Sequence, residues 1–162
     1  MAAGLVVLVE RVAVVGSRVG ADLEAVERFV TALYAKQPES ILVSGGAKGV
    51  DTLAEQTWLK LGGRVLSLRP IQVALEEYAI QTWELGGDSP RCFIDANELT
   101  WKDYASACHY RDILIADRSD RLVAFYRKGR SRGTAFTAEI MREAYERPVY
   151  EFDHTPEEVF AA

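Results

Sequence analysis

The sequence predicts a three-layer α/β fold, in which a doubly wound sheet of about five mainly parallel strands carries helices on both faces. Two observations lead to this prediction. Short β-branched apolar segments alternate along the chain with longer segments of helical periodicity, and this alternation is typical of β-α-β units built on a parallel sheet. The strand candidates are also apolar at nearly every position, as strands buried on both faces are.

The first half of the chain repeats a strand followed by a helix. Arg11–Val15 is the first predicted strand and ends at Gly16. Asp22 is the expected N-cap of a helix that runs to about Lys36, because its carboxylate can accept free amide protons of the first turn. The remaining elements of this half are a strand over 40–43, a helix from about 49 to 61 ended by Gly62 and Gly63, and a strand over 64–68 ended by Pro70.

The second half is less regular. We expect an insertion at about residues 71–100, with a helix over Val73–Leu85 and a loop over Gly86–Pro90. Its aromatic side chains would serve as a lid, a dimer surface or packing against the sheet edge. The elements expected after it are a helix over about 102–116, a strand over 121–125, a polar loop over 129–133, a helix over 134–145, an edge strand over 148–152 and a short tail.

Length and composition exclude several classes of protein. The 162 residues, 49% of them apolar, suit a single domain spanning 1–162. The net charge of −5 disfavours a generic duplex-DNA binder. No apolar run approaches the roughly 20 residues of a membrane helix, and no positive region precedes Leu5–Val9 as in a secretory signal. We therefore expect a cytoplasmic protein that makes no membrane contact.

The cysteines and histidines give no reason to expect a metal. Cys92 and Cys108 are too few for a disulfide framework, and we expect both to be reduced thiols. There is no Cys-x-x-Cys pair, and His109 and His154 are the only histidines of the sequence. We expect both histidines at the surface.

Three loops that follow predicted strands combine glycine, a hydroxyl group and a cation. Glycine lets the backbone approach a ligand closely, helix N-terminal amides favour an anion, and Lys or Arg adds charge-assisted hydrogen bonds. This combination suits a phosphate held outside the carboxyl ends of the strands. The candidate ligand-binding residues of the three loops are Gly16, Ser17 and Arg18; Ser44, Gly45, Gly46, Ala47, Lys48, Gly49 and Asp51; and Gly129, Arg130, Ser131, Gly133 and Thr134.

Two further residues have competing interpretations. Asp51 lies in the first turn of a predicted helix, where it would cap the helix, bind a ribose hydroxyl or act as a base. Arg111 lies near the apolar stripe of its helix, so it would contact a ligand or a carboxylate, or extend to water. Standard nucleotide and hydrolase motifs are absent: there is no Gly-x-Gly-x-x-Gly after the first strand, no Walker loop and no Gly-x-Ser-x-Gly elbow.

The segments Val14–Arg18 and Val43–Ala54 resemble the SLOG superfamily, which groups DprA/Smf proteins, YspA-like proteins and the "lonely guy" phosphoribohydrolases. Arg111-Asp112 and the later Gly129-x-Ser-x-Gly-Thr-x-x-Thr-Ala138 pattern are similar to the YspA-like branch. The resemblance covers roughly residues 11–70 and 105–150. It implies a Rossmann-like fold that binds nucleotides or nucleotide-derived ligands.

The chain departs from the phosphoribohydrolase pattern, which is Pro-Gly-Gly-x-Gly-Thr-x-x-Glu. The Pro-Gly-Gly is missing here, and Thr137 stands where the resemblance would place the catalytic glutamate. Glu139 lies two residues further on, which turns it about 200° around a helix.

Three functions remain open from the sequence. The first is a nucleotide-binding sensor or carrier, with a nucleotide or phosphate as its ligand and no other cofactor implied. The second is a hydrolase of an N-glycosidic or phosphoribosyl bond, for which Asp51 and Glu139 are the candidate catalytic carboxylates. The third is single-stranded nucleic-acid binding through Arg127–Arg132 and the neighbouring aromatics. We also expect a homodimer, because the aromatic-rich insertion must bury its side chains.

Overall fold

A computed structural model describes residues 9–18, 21–88, 90–94, 100–126 and 132–153. Within these ranges the chain forms seven strands and four helices. In chain order they are β1 Arg11–Gly16, α1 Leu23–Lys36, β2 Ile41–Ser44, α2 Val50–Lys60, β3 Arg64–Ala74, β4 Glu77–Leu85, β5 Arg91–Ile94, α3 Tyr104–Asp117, β6 Arg121–Tyr126, α4 Arg132–Glu143 and β7 Val149–Asp153.

The seven strands form one sheet in the order β5-β4-β3-β2-β1-β6-β7. Strands β3, β2, β1, β6 and β7 are parallel to one another, and they correspond to the five strands expected from the sequence. Strands β4 and β5 extend the sheet in antiparallel fashion beyond β3. The predicted α/β class and the mainly parallel sheet are therefore confirmed, and β7 is an edge strand.

Both faces of the sheet are covered. Apolar side chains of α1 and α2, including Val26, Val30 and Trp58, pack in one core cluster with Val12 and Val14 of β1. The alternate residues of β1 pack on the other face, in a cluster with Ala107 and Ile115 of α3 and with Met141 of α4. The strand therefore contributes to two cores, which explains why it is apolar at consecutive positions.

The helix expected over Val73–Leu85 is wrong. Strand β3 continues through Pro70 to Ala74 and pairs with β4 in a long hairpin. The buried residues of β4 are Ala79, Ile80 and Thr82, so it is the backbone pairing with β3, and not an alternating pattern of burial, that makes this segment a strand. The insertion is thus an extension of the sheet, and backbone hydrogen bonds of 2.8 Å in both directions between Tyr78 and Trp101 attach the following segment to it.

Pro70 does not end β3 as expected. Strand β2 is paired with β3 only as far as Ser67, so Pro70 lies where β3 has β4 as its one paired neighbour. Proline lacks a backbone donor and is tolerated where a strand has one unpaired side. The proline therefore marks the end of pairing with β2 rather than the end of the strand.

The helix starts agree with the sequence at one position and differ at another. Asp22 caps α1, because its Oδ1 accepts a hydrogen bond of 3.1 Å from the Ala25 amide. Gly49, and not Asp51, is the N-cap of α2. Tyr104, the first residue of α3, is 47% exposed. No helix in the described ranges is long and apolar enough to cross a bilayer.

Candidate functional site

A cavity of about 440 Å³ opens at the carboxyl end of β1. The chain runs outward from β1 to β5 on one side of the sheet and then returns to β6 on the other side of β1. Strand order therefore reverses between β1 and β6, and ligands of open α/β sheets bind at such a position. The cavity, which we call the crevice, is lined by Val15, Gly16, Ser17, Arg18, Ala47, Asp51, Cys108, Arg111, Asp112, Ile115, Arg132, Gly133, Thr134 and Thr137.

The loop after β1 is held between two other elements. The Ser17 amide donates to the Phe125 carbonyl at 3.0 Å, and the Ser17 carbonyl accepts from the Val50 amide at 3.4 Å. A Cβ on Gly16 would lie only 2.1 Å from the Phe125 carbonyl oxygen, so the close approach of β1 to β6 requires glycine there. This fixed backbone presents the exposed Arg18 to the crevice.

Asp51 joins the first two glycine loops. Its Oδ1 accepts from the Gly16 amide at 3.2 Å, and its Oδ2 accepts from the Gly45 amide at 3.1 Å. Burial raises the pKa of Asp51 to about 7, although the Arg111 charge and the amide donors favour the carboxylate. Asp51 thus links the two loops to each other at the crevice wall through these hydrogen bonds.

The second loop lies mostly behind the crevice. Of its predicted residues, Ala47 and Asp51 line the cavity, whereas the cavity wall does not include Ser44, Gly45, Gly46, Lys48 or Gly49. Gly46 has φ +67°, and a Cβ there would lie 2.7 Å from the Arg69 side chain. Gly49 has φ +86°, and a Cβ there would lie 2.6 Å from the Ser17 carbonyl oxygen. These glycines let the second loop pack closely against β3 and against the first loop.

Arg111 of α3 is buried, with 8% of its surface exposed. Its Nη1 donates to the Gly45 carbonyl at 2.6 Å, and its Nε donates to Asp112 Oδ1 at 2.8 Å. Of the two interpretations of Arg111, contact with a carboxylate therefore holds, and the side chain does not extend to water. Burial raises the pKa of Asp112, and the Arg111 charge opposes that rise.

The first two turns of α4 form the opposite wall. Arg132, Gly133, Thr134 and Thr137 all line the crevice, and the Thr137 hydroxyl donates to the Gly133 carbonyl at 2.9 Å. Glu139 is exposed on the same helix and is not part of the wall. The other predicted residues of the third loop, Gly129, Arg130 and Ser131, lie outside the described residues.

Sequence reasoning missed several residues of the wall. Cys108 and Ile115 lie one helical turn from Arg111 along α3, so the helical period could have found them once Arg111 was placed in the site. Asp112, which follows Arg111 directly, was named only as part of the family resemblance. Thr137 follows Thr134 by the same interval on α4. Arg132 was not missed, since it belongs to the segment Arg127–Arg132 named from the sequence for nucleic-acid binding, and it begins α4 and lines the wall. In the described part of the chain no group of three His, Cys, Asp or Glu side chains is placed to hold a metal ion.

The crevice combines positive charge with hydroxyl groups. Arg18, Arg111 and Arg132 come from three different elements, and Asp51 and Asp112 are the acids on the described wall. Both acids already accept hydrogen bonds from the protein. Arg18 and Arg132 are exposed, and neither forms an ion pair within the described ranges. The arrangement can therefore bind an anion without first breaking an internal ion pair.

Comparison with solved structures identifies proteins of the same fold. DprA from Streptococcus pneumoniae superimposes with a TM-score of 0.66 at 20% identity, over 91% of this chain and 52% of that protein. DprA from Helicobacter pylori, described for its single-stranded DNA binding mode, gives 0.62 at 17% identity, over 91% of this chain and 66% of that protein. This chain thus spans about half the length of the first DprA.

A third solved structure has a different ligand in its name. The molybdenum cofactor binding protein from Rippkaea orientalis gives a TM-score of 0.56 at 17% identity, over 96% of this chain and 84% of that protein. Among curated protein sequences there is no significant match. Residues 10–58, which contain the first two glycine loops, match the sequence model of the YspA, cpYpsA-related SLOG family. Over these residues the chain is similar to that family, and the superpositions show that its fold is Rossmann-like.

Proposed function

We propose that the chain binds a nucleotide or a nucleotide-derived ligand through its phosphate in the crevice, and that it acts as a sensor or carrier. One observation carries the proposal: arginines from the loop after β1, from α3 and from α4 meet around one cavity at the carboxyl ends of the parallel strands. The cavity volume of about 440 Å³ falls within the range of small-molecule sites, about 300–1,000 Å³.

The parts of the crevice suit different parts of such a ligand. The exposed Arg18 and Arg132 would donate to the phosphate, and the first turn of α4 would add backbone amides. Arg111 would contribute positive charge and hold the crevice wall, because its hydrogen bonds already go to the Gly45 carbonyl and to Asp112. Val15 and Ile115 supply apolar wall for a base or a sugar.

Binding without turnover fits the described carboxylates better than hydrolysis does. Both oxygens of Asp51 accept hydrogen bonds from backbone amides, at 3.2 and 3.1 Å, so this side chain already serves to link the two loops. Glu139 is outside the crevice wall, and Thr137 lines the wall at the place where the phosphoribohydrolase resemblance would put a glutamate. A glycosidic hydrolase needs a carboxylate near the ribose to stabilise its transition state, and neither candidate is free to serve there.

Isothermal titration calorimetry with AMP, ADP, NAD and ADP-ribose tests the proposal. Arg18→Gln and Arg132→Gln should each weaken binding about tenfold or more, because a hydrogen bond to a charged group contributes about 1.5–3 kcal/mol. Arg28→Gln is the matched control, since Arg28 is an exposed arginine of α1 whose ion pair with Glu24 is at the surface. An unchanged affinity in both crevice variants, or no binding of any of the four ligands, would contradict the proposal.

Two further measurements separate the alternatives. Chromatography of the incubated ligands detects free base, and its release would favour the hydrolase. A single-stranded oligonucleotide and a molybdenum cofactor extract cover the ligand classes in the names of the structural neighbours. Tighter binding of either one than of the nucleotides would replace the nucleotide in the proposal.

A further inference from the structure

A second cavity, of about 490 Å³, lies at the opposite end of the parallel strands from the crevice. It opens at the amino ends of the parallel strands, where β1, β2 and β3 begin at Arg11, Ile41 and Arg64. We call it the basal cavity. Strand β1 separates it from the crevice, and five residues of extended chain span on the order of 16 Å. A ligand in one cavity therefore does not occupy the other.

Strand pairing places two arginines on the same face of the sheet. Arg11 is in register with Ile41, and Ile41 is in register with Arg64. Residues in register on neighbouring strands project from the same face. The two arginines consequently flank Ile41 at a backbone separation of roughly 10 Å, which is two strand spacings. Their long side chains can reach two anionic groups of one ligand.

These two arginines are exposed and free for a ligand. A third arginine of the wall, Arg91, already donates to Glu84 Oε2 at 3.0 and 2.7 Å. Neither guanidinium of the Arg11 and Arg64 pair forms an ion pair with any residue in the described ranges, and Asp88 is the remaining acid on the described wall. In a chain of net charge −5, this local excess of positive charge favours an anion.

The rest of the wall is apolar and tightly built. Leu66 and the half-buried Ile41 pack with the core cluster on the α3 and α4 face. The turn after β4 lies against β3: Gly86 has φ +81°, and a Cβ there would meet the Gly63 carbonyl oxygen at 2.3 Å. Glycine at this position therefore lets the turn close one side of the cavity without filling it.

We propose that the basal cavity is a second ligand site, which binds a small dianion with a short apolar body. One anionic group would bind Arg11 and the other Arg64, while the carbon body would rest on Ile41 and Leu66. Carboxylates and phosphates share this chemistry, because guanidinium groups form charge-assisted hydrogen bonds with both. The site is independent of the nucleotide proposed for the crevice.

Calorimetric titration of the full chain with glutarate and with methylenediphosphonate tests the site and distinguishes the two anion chemistries. Arg11→Gln and Arg64→Gln should each weaken binding of the preferred probe about tenfold or more. Arg28→Gln on α1 and Arg18→Gln at the crevice are the matched controls, and they should change the affinity less than about twofold. The amide resonances of Gly86 and Gly87 should shift during the titration, since both residues line the cavity.

Several results would overturn the proposal. One is failure of both probes to bind saturably below about 10 mM, the weak end of specific affinity. Another is unchanged affinity in Arg11→Gln and Arg64→Gln, and a third is equal weakening by Arg18→Gln, which would put the probe in the crevice. Because both arginine side chains are exposed and unpaired within the described ranges, the variants should keep the wild-type Tm, which a thermal scan checks.

Discussion

Asp51 shows how one almost fully buried side chain can organise a site. Its carboxylate accepts hydrogen bonds from the amides of Gly16 and Gly45, at the ends of β1 and β2. Gly16 and Asp51 itself line the crevice. The group lies 4% exposed, so its ionisation must be supported by Arg111 and by the amides rather than by water. Burial outweighs that support and raises the pKa to about 7.

The raised pKa of Asp51 predicts a pH dependence of the free energy of unfolding. In the unfolded chain an aspartate ionises near pH 4, whereas in the folded chain Asp51 ionises near pH 7. The folded state therefore binds more protons in between, and the stability contributed by Asp51 is full below pH 4 and is lost as pH rises through about 7. Urea unfolding should show a gap between the wild type and Asp51→Asn that shrinks from pH 4.5 to pH 7.5.

Asp103 provides the control for the sign of that effect. It is the N-cap of α3, and the amide and hydroxyl of Ser106 lower its pKa. A lowered pKa contributes stability above the unfolded value that is lost in acid, so the gap between the wild type and Asp103→Asn should widen as pH rises from below 4 and then stay constant. A gap for Asp51→Asn that widens in the same way would contradict the burial of Asp51.

Arg111 should not tolerate replacement by lysine. Two different nitrogens of its guanidinium serve the Gly45 carbonyl and Asp112, and a single ammonium group cannot reproduce that fork. Arg111→Lys should lower the free energy of unfolding by about 1–3 kcal/mol, since a buried acceptor is left unsatisfied. Arg91→Lys, at the exposed pair with Glu84, should cost about 0.5 kcal/mol or less by the same urea measurement. Equal losses would contradict the buried fork.

The packing of the two glycine loops against each other predicts a difference between two alanine variants. Gly49 and Gly87 both have positive φ, but a Cβ would lie 2.6 Å from the Ser17 carbonyl oxygen at Gly49 and 3.5 Å from the Arg64 side chain at Gly87. The backbone strain of alanine at a positive φ costs on the order of 1–3 kcal/mol at either position. Gly49→Ala should cost about 3 kcal/mol or more in urea unfolding, because the loops must also separate. Equal losses of the free energy of unfolding in the two variants would contradict the close packing of the loops after β1 and β2.

The β3–β4 hairpin shows where sequence reasoning reaches its limit. The apolar residues of Val73–Leu85 do not repeat with one regular period. The segment is buried because it pairs with β3, and its sequence pattern alone does not reveal that pairing. Strand propensity depends on such neighbours more than helix propensity does. By contrast, strands β1, β2, β3 and β6 at the centre of the sheet contain apolar segments that are buried on both faces, and for that reason their own composition was sufficient to predict them.

The same limit applies to the crevice. Gly16, Ser17 and Arg18 follow a strand directly, and their placement in the cavity agrees with the general rule for open sheets. Lys48 was expected at the phosphate, but it lies outside the wall. The local pattern of the second loop does not reveal that Asp51 and Gly45 fold it back against the first loop, since these contacts join residues distant in the sequence.

The position of the crevice is a property of the whole chain. Residues 11–94 build the sheet outward from β1 in one direction, and residues 104–153 build it in the other. The residues that line the crevice therefore come from both halves of the chain. A ligand bound there would connect the two halves, so binding should raise the stability of the entire fold rather than of one loop.

This shared sheet predicts that the chain unfolds as one unit. Leu42 of β2 belongs to the core cluster on the α1 and α2 face, and Leu122 of β6 belongs to the cluster on the other face. Leu42→Ala and Leu122→Ala should each lower the free energy of unfolding by about 2–5 kcal/mol. Because each strand of the sheet centre supports both faces, each variant should shift one urea transition, identical by tryptophan fluorescence and far-UV circular dichroism, and keep the wild-type m-value. A second transition in either variant would divide the chain into two folding units.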